Sequence, residues 1–166
     1  QEFRLDSSYD GAFNFSAGFY YADIEQEFIT GQNAVNAGLI FPDPITGNSY
    51  DWDKNHYTDT ESWSAFAAVY WDITDALTLT AGARYSKDEK DGYIDIAYMH
   101  AFLSGVFGFL PTGSVVGDGA NGTDPLAFDD SEVTPEVSLN WSLSDDVSLF
   151  VAYKTGYKSG GFDNSA

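Results

Sequence analysis

The sequence contains no cysteine, and only 7 of its 166 residues are lysine or arginine, against 26 aspartate and glutamate residues. The absence of cysteine excludes a disulfide framework and any thiolate metal site. The formal net charge of −19 argues against nucleic acid as a partner, because binding to phosphates needs a basic face. Prolines number only 5, and aromatic residues make up 17% of the chain. This composition favours β structure over disorder.

A long apolar run is also missing. No stretch reaches the ~20 apolar residues that a membrane-spanning helix needs. The most apolar segment, 96–110, is shorter and contains Gly105 and Gly108. A membrane protein built from β-strands remains open, since strands hide their apolar face in alternation.

Nothing in the sequence predicts an enzyme. No serine lies in a nucleophile motif, and the two histidines, His56 and His100, fall in expected loops. The acidic residues Asp51 and Asp53, followed by Asn55, have the spacing of the first EF-hand ligands. The glycine that such a loop needs next is replaced by His56. The sequence therefore predicts no catalytic residue, no cofactor and no metal site.

Alternation of apolar and polar residues dominates the chain and predicts an all-β, antiparallel fold. In the run 60–72, for example, Trp63, Val69 and Trp71 occupy odd positions. Six such runs predict six strands, at 1–7, 12–22, 60–72, 76–87, 132–143 and 147–158. Tight turns rich in Asp and Gly join some of them. Two segments, about 29–57 and about 91–131, are predicted to be long loops.

Short turns that alternate with long loops are typical of an outer-membrane β-barrel, although a soluble antiparallel sheet with one buried face alternates in the same way. The apolar face of each run carries no charge at its centre, as lipid contact requires. Trp63 and Trp71 lie eight residues apart on one face. In a tilted strand they would be separated by roughly 20 Å along the membrane normal, close to the spacing of two aromatic girdles.

Three segments carry a specific resemblance. They are QEFRLDSSYDGAFNFSAGFYYADIEQE, WSAFAAVYWDITDALTLTAGARYSKDEKD and VTPEVSLNWSLSDDVSLFVAYKTGYKSGGFDN. In this order they resemble strand and turn signatures of the β-barrel of TonB-dependent outer-membrane receptors. The resemblance implies about six strands of a larger barrel, with residues 29–57 and 91–131 as extracellular loops. The plug domain and TonB box of that family are not recognisable, so the sequence reads as an internal fragment of such a receptor.

The resemblance also implies a function. The chain would belong to a Gram-negative outer-membrane receptor that binds a ferric siderophore or a similar scarce nutrient and imports it with TonB-coupled energy. Its partners would be outer-membrane lipid, the ligand, and TonB through the N-terminal part. Two alternatives stay open: a passive porin-like barrel segment, and a soluble acidic β-sandwich that binds ligands.

Individual residues receive roles on this basis. Three residues are candidate ligand contacts: Arg84, Tyr98 and His100. Six aromatic residues are candidates for the membrane interface: Trp63, Trp71, Tyr85, Trp141, Tyr153 and Tyr157. By alternation, Tyr153 and Tyr157 would face lipid, whereas Lys154 and Lys158 would face the lumen. The apolar segment 96–110 is expected to pack against neighbouring loops.

Overall fold

The computed structural model describes residues 1–32, 41–119 and 124–162, and confirms an all-β antiparallel fold. Its elements are β1 (Glu2–Asp6), β2 (Phe13–Gln32), β3 (Trp52–Thr74), β4 (Leu77–Met99), α1 (Ala101–Phe107), β5 (Val115–Val116), β6 (Leu126–Ser144) and β7 (Val147–Lys154). The sheet has the order β1-β2-β3-β4-β6-β7, and the two-residue β5 pairs with β4. Within the described ranges, no helix has the length and apolarity required to cross a membrane.

Four of the strands are longer than the alternation predicted, whereas β1 and β7 are shorter. Residues 29–32, 52–57, 91–99 and 126–131 were assigned to loops, but they continue β2, β3, β4 and β6. Main-chain hydrogen bonds hold a ladder together whatever the side chains are. Acidic residues on the face that is apolar elsewhere in the strand therefore erase the alternating pattern without ending the strand, as Asp23, Glu25 and Glu27 do in β2.

The described chain consists of two compact units. The first unit contains residues 1–23, 61–89 and 129–160. One face of its sheet is apolar, because the register pairs Phe3 with Phe19 in β1 and β2, and Val137 with Tyr153 in β6 and β7. Many large apolar side chains on this face are exposed, among them Phe3, Leu5, Phe13, Val69, Val133, Trp141, Leu149, Val151 and Tyr153.

The second unit contains residues 24–60, 90–128 and 161–162 of the described chain. Its core consists of the buried side chains Ile94, Ile96 and Met99. Five partly buried residues pack against them: Trp52, Leu103, Leu110, Val116 and Leu126. Segment 96–110 thus supplies much of a local core, which confirms that it packs against neighbouring segments. The short helix α1 ends at Gly108, whose φ of 74° is a left-handed conformation that glycine adopts without strain.

Candidate functional site

The polar face of the first unit presents Arg84, which lies on β4. Its guanidinium carbon lies 5.9 Å from the ring centre of Tyr20 and 5.8 Å from that of Phe66. Both distances are within the range of a cation–π attraction. The Nε–H group donates a hydrogen bond of 3.3 Å to Oγ of Ser86. The guanidinium group is therefore held over two aromatic rings.

Beside Arg84 the sheet forms a depression of about 200 Å³. Small side chains line it on β3 and β4, namely Ala67, Ala68 and Ala83. Its opposite side carries Glu136 of β6 and Lys154 of β7, which form an ion pair at 2.8 Å. The depression therefore brings two cations and one carboxylate together on a surface whose other lining side chains are uncharged.

The two arginines of the chain differ in their surroundings. Arg4 pairs with Asp6, with Nε 3.1 Å from Oδ1. No carboxylate within the described ranges lies in ion-pair distance of Arg84. In a chain with 26 acidic residues, Arg84 is a cation that the described structure leaves without a carboxylate partner.

In the second unit, a buried carboxylate organises the segment after position 40. Asp43 Oδ1 accepts hydrogen bonds from the backbone N–H groups of Ile45 at 2.7 Å and Thr46 at 3.3 Å. Its Oδ2 accepts from the hydroxyl of Tyr98 at 2.9 Å and from the N–H of Ala101 at 3.0 Å. Burial tends to raise the pKa of Asp43, but these four hydrogen bonds outweigh it and hold the pKa well below the usual range.

Tyr98 and His100 were predicted ligand contacts, and the structure gives both a role within the second unit. The Tyr98 hydroxyl donates to Asp43. His100 caps α1, because its Nδ1 accepts from the N–H of Phe102 at 3.1 Å. Its Nε2 lies 3.1 Å from the carbonyl oxygen of Phe41 and therefore carries the proton. A ligand would have to break this network to reach either side chain, so Arg84 is the best placed of the three candidates.

Sequence reasoning missed the role of Asp43, although a signal for it was present. Asp at the start of a turn hydrogen-bonds the backbone two residues on, and the sequence Asp43-Pro44-Ile45-Thr46 has that form. His56 was expected in a loop, but it lies on β3 and is 4% exposed. Its Nε2 lies 2.8 Å from Oγ1 of Thr30 on β2.

Five of the six predicted interface aromatics lie on the apolar face of the first unit. Trp63 lies between Phe19 and Tyr85, with ring centres 6.1 Å and 5.1 Å away. Trp71 stacks on Phe13 at 5.2 Å. Trp141 and Tyr153 are exposed on the same face. Their contact with the membrane interface stays a prediction.

Tyr157 differs from the expectation that it faces lipid. Its ring is partly buried, and its hydroxyl lies close to Asp88. Asp88 accepts a hydrogen bond from Ser62 and lies on the face of β4 that carries Arg84. The reason is that β7 ends at Lys154, so strand alternation no longer determines the side on which position 157 falls.

Comparisons with known proteins agree with this architecture. The model of the family described as TonB dependent receptor-like, beta-barrel matches residues 1–166. No curated protein matches the sequence. Among solved structures, the chain is similar to the ferric yersiniabactin uptake receptor FyuA from Yersinia pestis, with a TM-score of 0.58 and 16% sequence identity. The alignment covers 90% of this chain but 19% of that receptor. At this identity the likeness shows the fold alone.

Proposed function

Because the chain belongs to the family of TonB-dependent receptor β-barrels, we propose that it forms part of the wall of a receptor that imports a ferric siderophore or a similar scarce nutrient with TonB-coupled energy. Barrels of this family lie in the outer membrane of Gram-negative bacteria, and their members are transporters rather than enzymes. The chain spans only 19% of the length of the similar solved receptor.

The observation that carries this proposal is the exposed apolar face of the first unit. Phe3, Phe13 and Tyr153 are 72%, 57% and 65% exposed, although each lies on a strand that pairs with a neighbouring strand. A soluble protein rarely leaves such a continuous apolar surface uncovered. A barrel wall turns this surface toward lipid, and Trp63 and Trp71 then lie where aromatic girdles flank an apolar band.

The connections support a transport role. β3 and β4 are joined by the two residues 75–76, and β6 and β7 by the two residues 145–146. The connections from β2 to β3 and from β4 to β6 are much longer and contain the Asp43 network and α1. Outer-membrane barrels place short turns on the periplasmic side and long loops outside the cell. We assign the long connections to the extracellular side.

A ferric siderophore is the ligand class that the structural neighbour favours, since that receptor is named for ferric yersiniabactin uptake. An uptake assay tests this assignment. Cells that lack the gene encoding this chain, and cells with the gene restored, are compared for accumulation of ⁵⁵Fe presented on a panel of siderophores. We expect restored uptake of one siderophore class. The uptake should saturate and should stop when a protonophore removes the inner-membrane gradient.

The same assay distinguishes energy-dependent import from passive entry through a porin-like barrel. A porin-like barrel would admit the complex without saturation, and a protonophore would leave the initial rate unchanged. Equal iron accumulation with and without the gene, for every siderophore tested, would contradict the siderophore assignment. Deletion of the long connections should have a different effect from loss of the wall strands. It should abolish ligand binding but leave the wall strands in the membrane.

A further inference from the structure

Arg84 and the depression beside it have the properties of a recognition site for a negatively charged group. We propose that they form a subsite for a carboxylate, supplied either by the bound ligand or by another segment of the receptor. This inference rests on the proposed function only in taking the polar face of the first unit as the barrel interior. It concerns residues of one unit, on β3, β4, β6 and β7.

The charge balance supports an external partner for Arg84. Glu136 is the carboxylate of the depression, and it is already paired with Lys154 at 2.8 Å. The Nε–H of Arg84 reaches Ser86, at the long distance of 3.3 Å. An arginine fork satisfies its remaining N–H groups best with a carboxylate held in bidentate geometry. Such a partner is absent from the described part of the chain.

The guanidinium group is also preorganised. The rings of Tyr20 and Phe66 lie 5.9 Å and 5.8 Å from its central carbon, which limits the conformations that the long side chain can adopt. Less conformational entropy is then lost when an anion binds. An exposed arginine without such contacts would lose more on binding.

The floor of the depression leaves room for the anion. The small side chains of Ala67, Ala68 and Ala83 line it on β3 and β4 and project little into the space. A volume of about 200 Å³ is several times the ~30 Å³ that one water molecule occupies in the liquid. A carboxylate group with the carbon that bears it fits into this space.

The other polar groups determine which anion is preferred. The hydroxyl of Thr134 donates to the carbonyl oxygen of Arg84 at 3.3 Å, and that of Thr155 donates to the carbonyl oxygen of Pro135 at 3.5 Å. Neither hydroxyl proton is therefore free to bind an anion. Recognition falls to Arg84, with Lys154 as a second cation. The nearby charge of Glu136 disfavours a dianion such as phosphate, because like charges repel.

Chemical modification of the wild-type receptor in detergent tests the subsite. Phenylglyoxal modifies accessible arginine side chains, and mass spectrometry of peptides measures the rate at each position. Arg4 serves as the internal reference, because it is exposed and its ion pair with Asp6 is a surface contact. The probe anion is acetate, which replaces chloride at constant ionic strength. Phosphate is the comparison anion.

Two results support the subsite and distinguish its sources. Protection of Arg84 by acetate of about threefold or more, with less protection by phosphate and none at Arg4, indicates a site open to a ligand carboxylate. Protection already present in chloride, and released in about 1 M NaCl, indicates a carboxylate of the receptor itself, because a screening length of about 3 Å weakens an ion pair that solvent reaches.

Two other results overturn it. One is modification of Arg84 at the rate of Arg4 in acetate and chloride alike. The other is protection that about 1 M NaCl leaves unchanged, since this would be steric shielding rather than charge pairing. The measurement needs no transport, so a failure of siderophore uptake would contradict the proposed function and leave the subsite standing.

Discussion

The ring of Phe66 occupies the space that a side chain at Gly18 would need. A Cβ atom built on Gly18 would lie 2.4 Å from Cζ of Phe66 and 2.8 Å from the carbonyl oxygen of Phe3. An aromatic ring laid across a glycine on the neighbouring strand protects the backbone there and fixes the register. The same ring lies 5.8 Å from the Arg84 guanidinium carbon, so one contact supports both the sheet and the candidate subsite.

The first prediction is that Gly18→Ala destabilises the receptor by about 1–3 kcal/mol, because the new methyl group forces the Phe66 ring or the β1 backbone to move. The midpoint of thermal unfolding in detergent measures the effect. Gly11→Ala is the matched control, since a Cβ atom at Gly11 meets nothing within 4 Å. An unchanged midpoint in the Gly18 variant would show that the ring does not pack there.

The second prediction separates a lipid-facing wall from a soluble sheet. Val69 and Tyr70 are neighbours on β3, are 46% and 39% exposed, and lie on opposite faces. Val69→Arg places a charge in lipid and should cost about 2 kcal/mol. This is the lower end of the ~2–4 kcal/mol that a charge costs at the bilayer midplane. Tyr70→Arg should be tolerated. Outer-membrane yield and thermal midpoint are the measurements, and equal tolerance of both changes would favour a soluble sheet.

The sequence predicted the wall of the first unit well, because its pattern has a local cause. Lipid or core on one side of a strand forces apolar residues onto alternate positions, which is why 60–72 and 76–87 could be assigned to strands. The strand extensions were missed for the opposite reason. In β2, for example, Asp23, Glu25 and Glu27 are polar and solvent-exposed, and only the partner strand shows that they belong to a ladder.

The candidate site residues also differ in how well the local sequence predicts their roles. Arg84 could be singled out from the sequence because it is one of few cations and lies on the polar side of an alternating run. The role of Tyr98 depends on Asp43, which lies 55 residues before it, and His100 contacts the carbonyl oxygen of Phe41, which lies 59 residues before it. The sequence around either residue does not predict such a long-range contact. Tyr157 was misplaced because the end of β7 at Lys154 is set by strand pairing rather than by the residues themselves.

The third prediction concerns the Asp43 network. Its depressed pKa in the folded protein means that the stabilisation is present above the ordinary value of 3.8 and is lost as the pH falls through the folded-state pKa. The protection of amides around Ile45 and Ala101, measured relative to the intrinsic exchange rate at each pH, should therefore decrease only below about pH 3.8. At neutral pH, Asp43→Asn should accelerate exchange in both segments, because it weakens four accepted hydrogen bonds.

Tyr98→Phe is the companion variant, since it removes one of those bonds and keeps the ring. It should raise the exchange rate of the N–H of Ala101 by about tenfold or more, as expected for one hydrogen bond to a charged group. It should leave the backbone bonds from Ile45 and Thr46 in place. Equal effects of Tyr98→Phe and Asp43→Asn would show that the hydroxyl carries the network and that the backbone bonds contribute little.

The fourth prediction follows from the buried imidazole of His56, which lies on β3 outside the stretch between Trp63 and Trp71. Burial lowers its pKa, and the nearby charge of Lys54 lowers it further. The ring also lies 5.9 Å from that of Phe28. The folded protein therefore holds His56 neutral at a pH at which the unfolded chain would already bind a proton.

Because the folded-state pKa of His56 is below its ordinary value of 6.5, the unfolded state gains protons first as the pH falls. Stability from this group is fully present above about pH 6.5 and decreases as the pH is lowered through the folded-state pKa. The protection of the amides at 54–58, measured relative to the intrinsic exchange rate at each pH, should decrease over this range in the wild-type protein. His56→Phe, which keeps a flat ring beside Phe28, should abolish this acid sensitivity, although it loses the contact with Thr30. Acid-dependent exchange that persists unchanged in His56→Phe would assign the effect to another group.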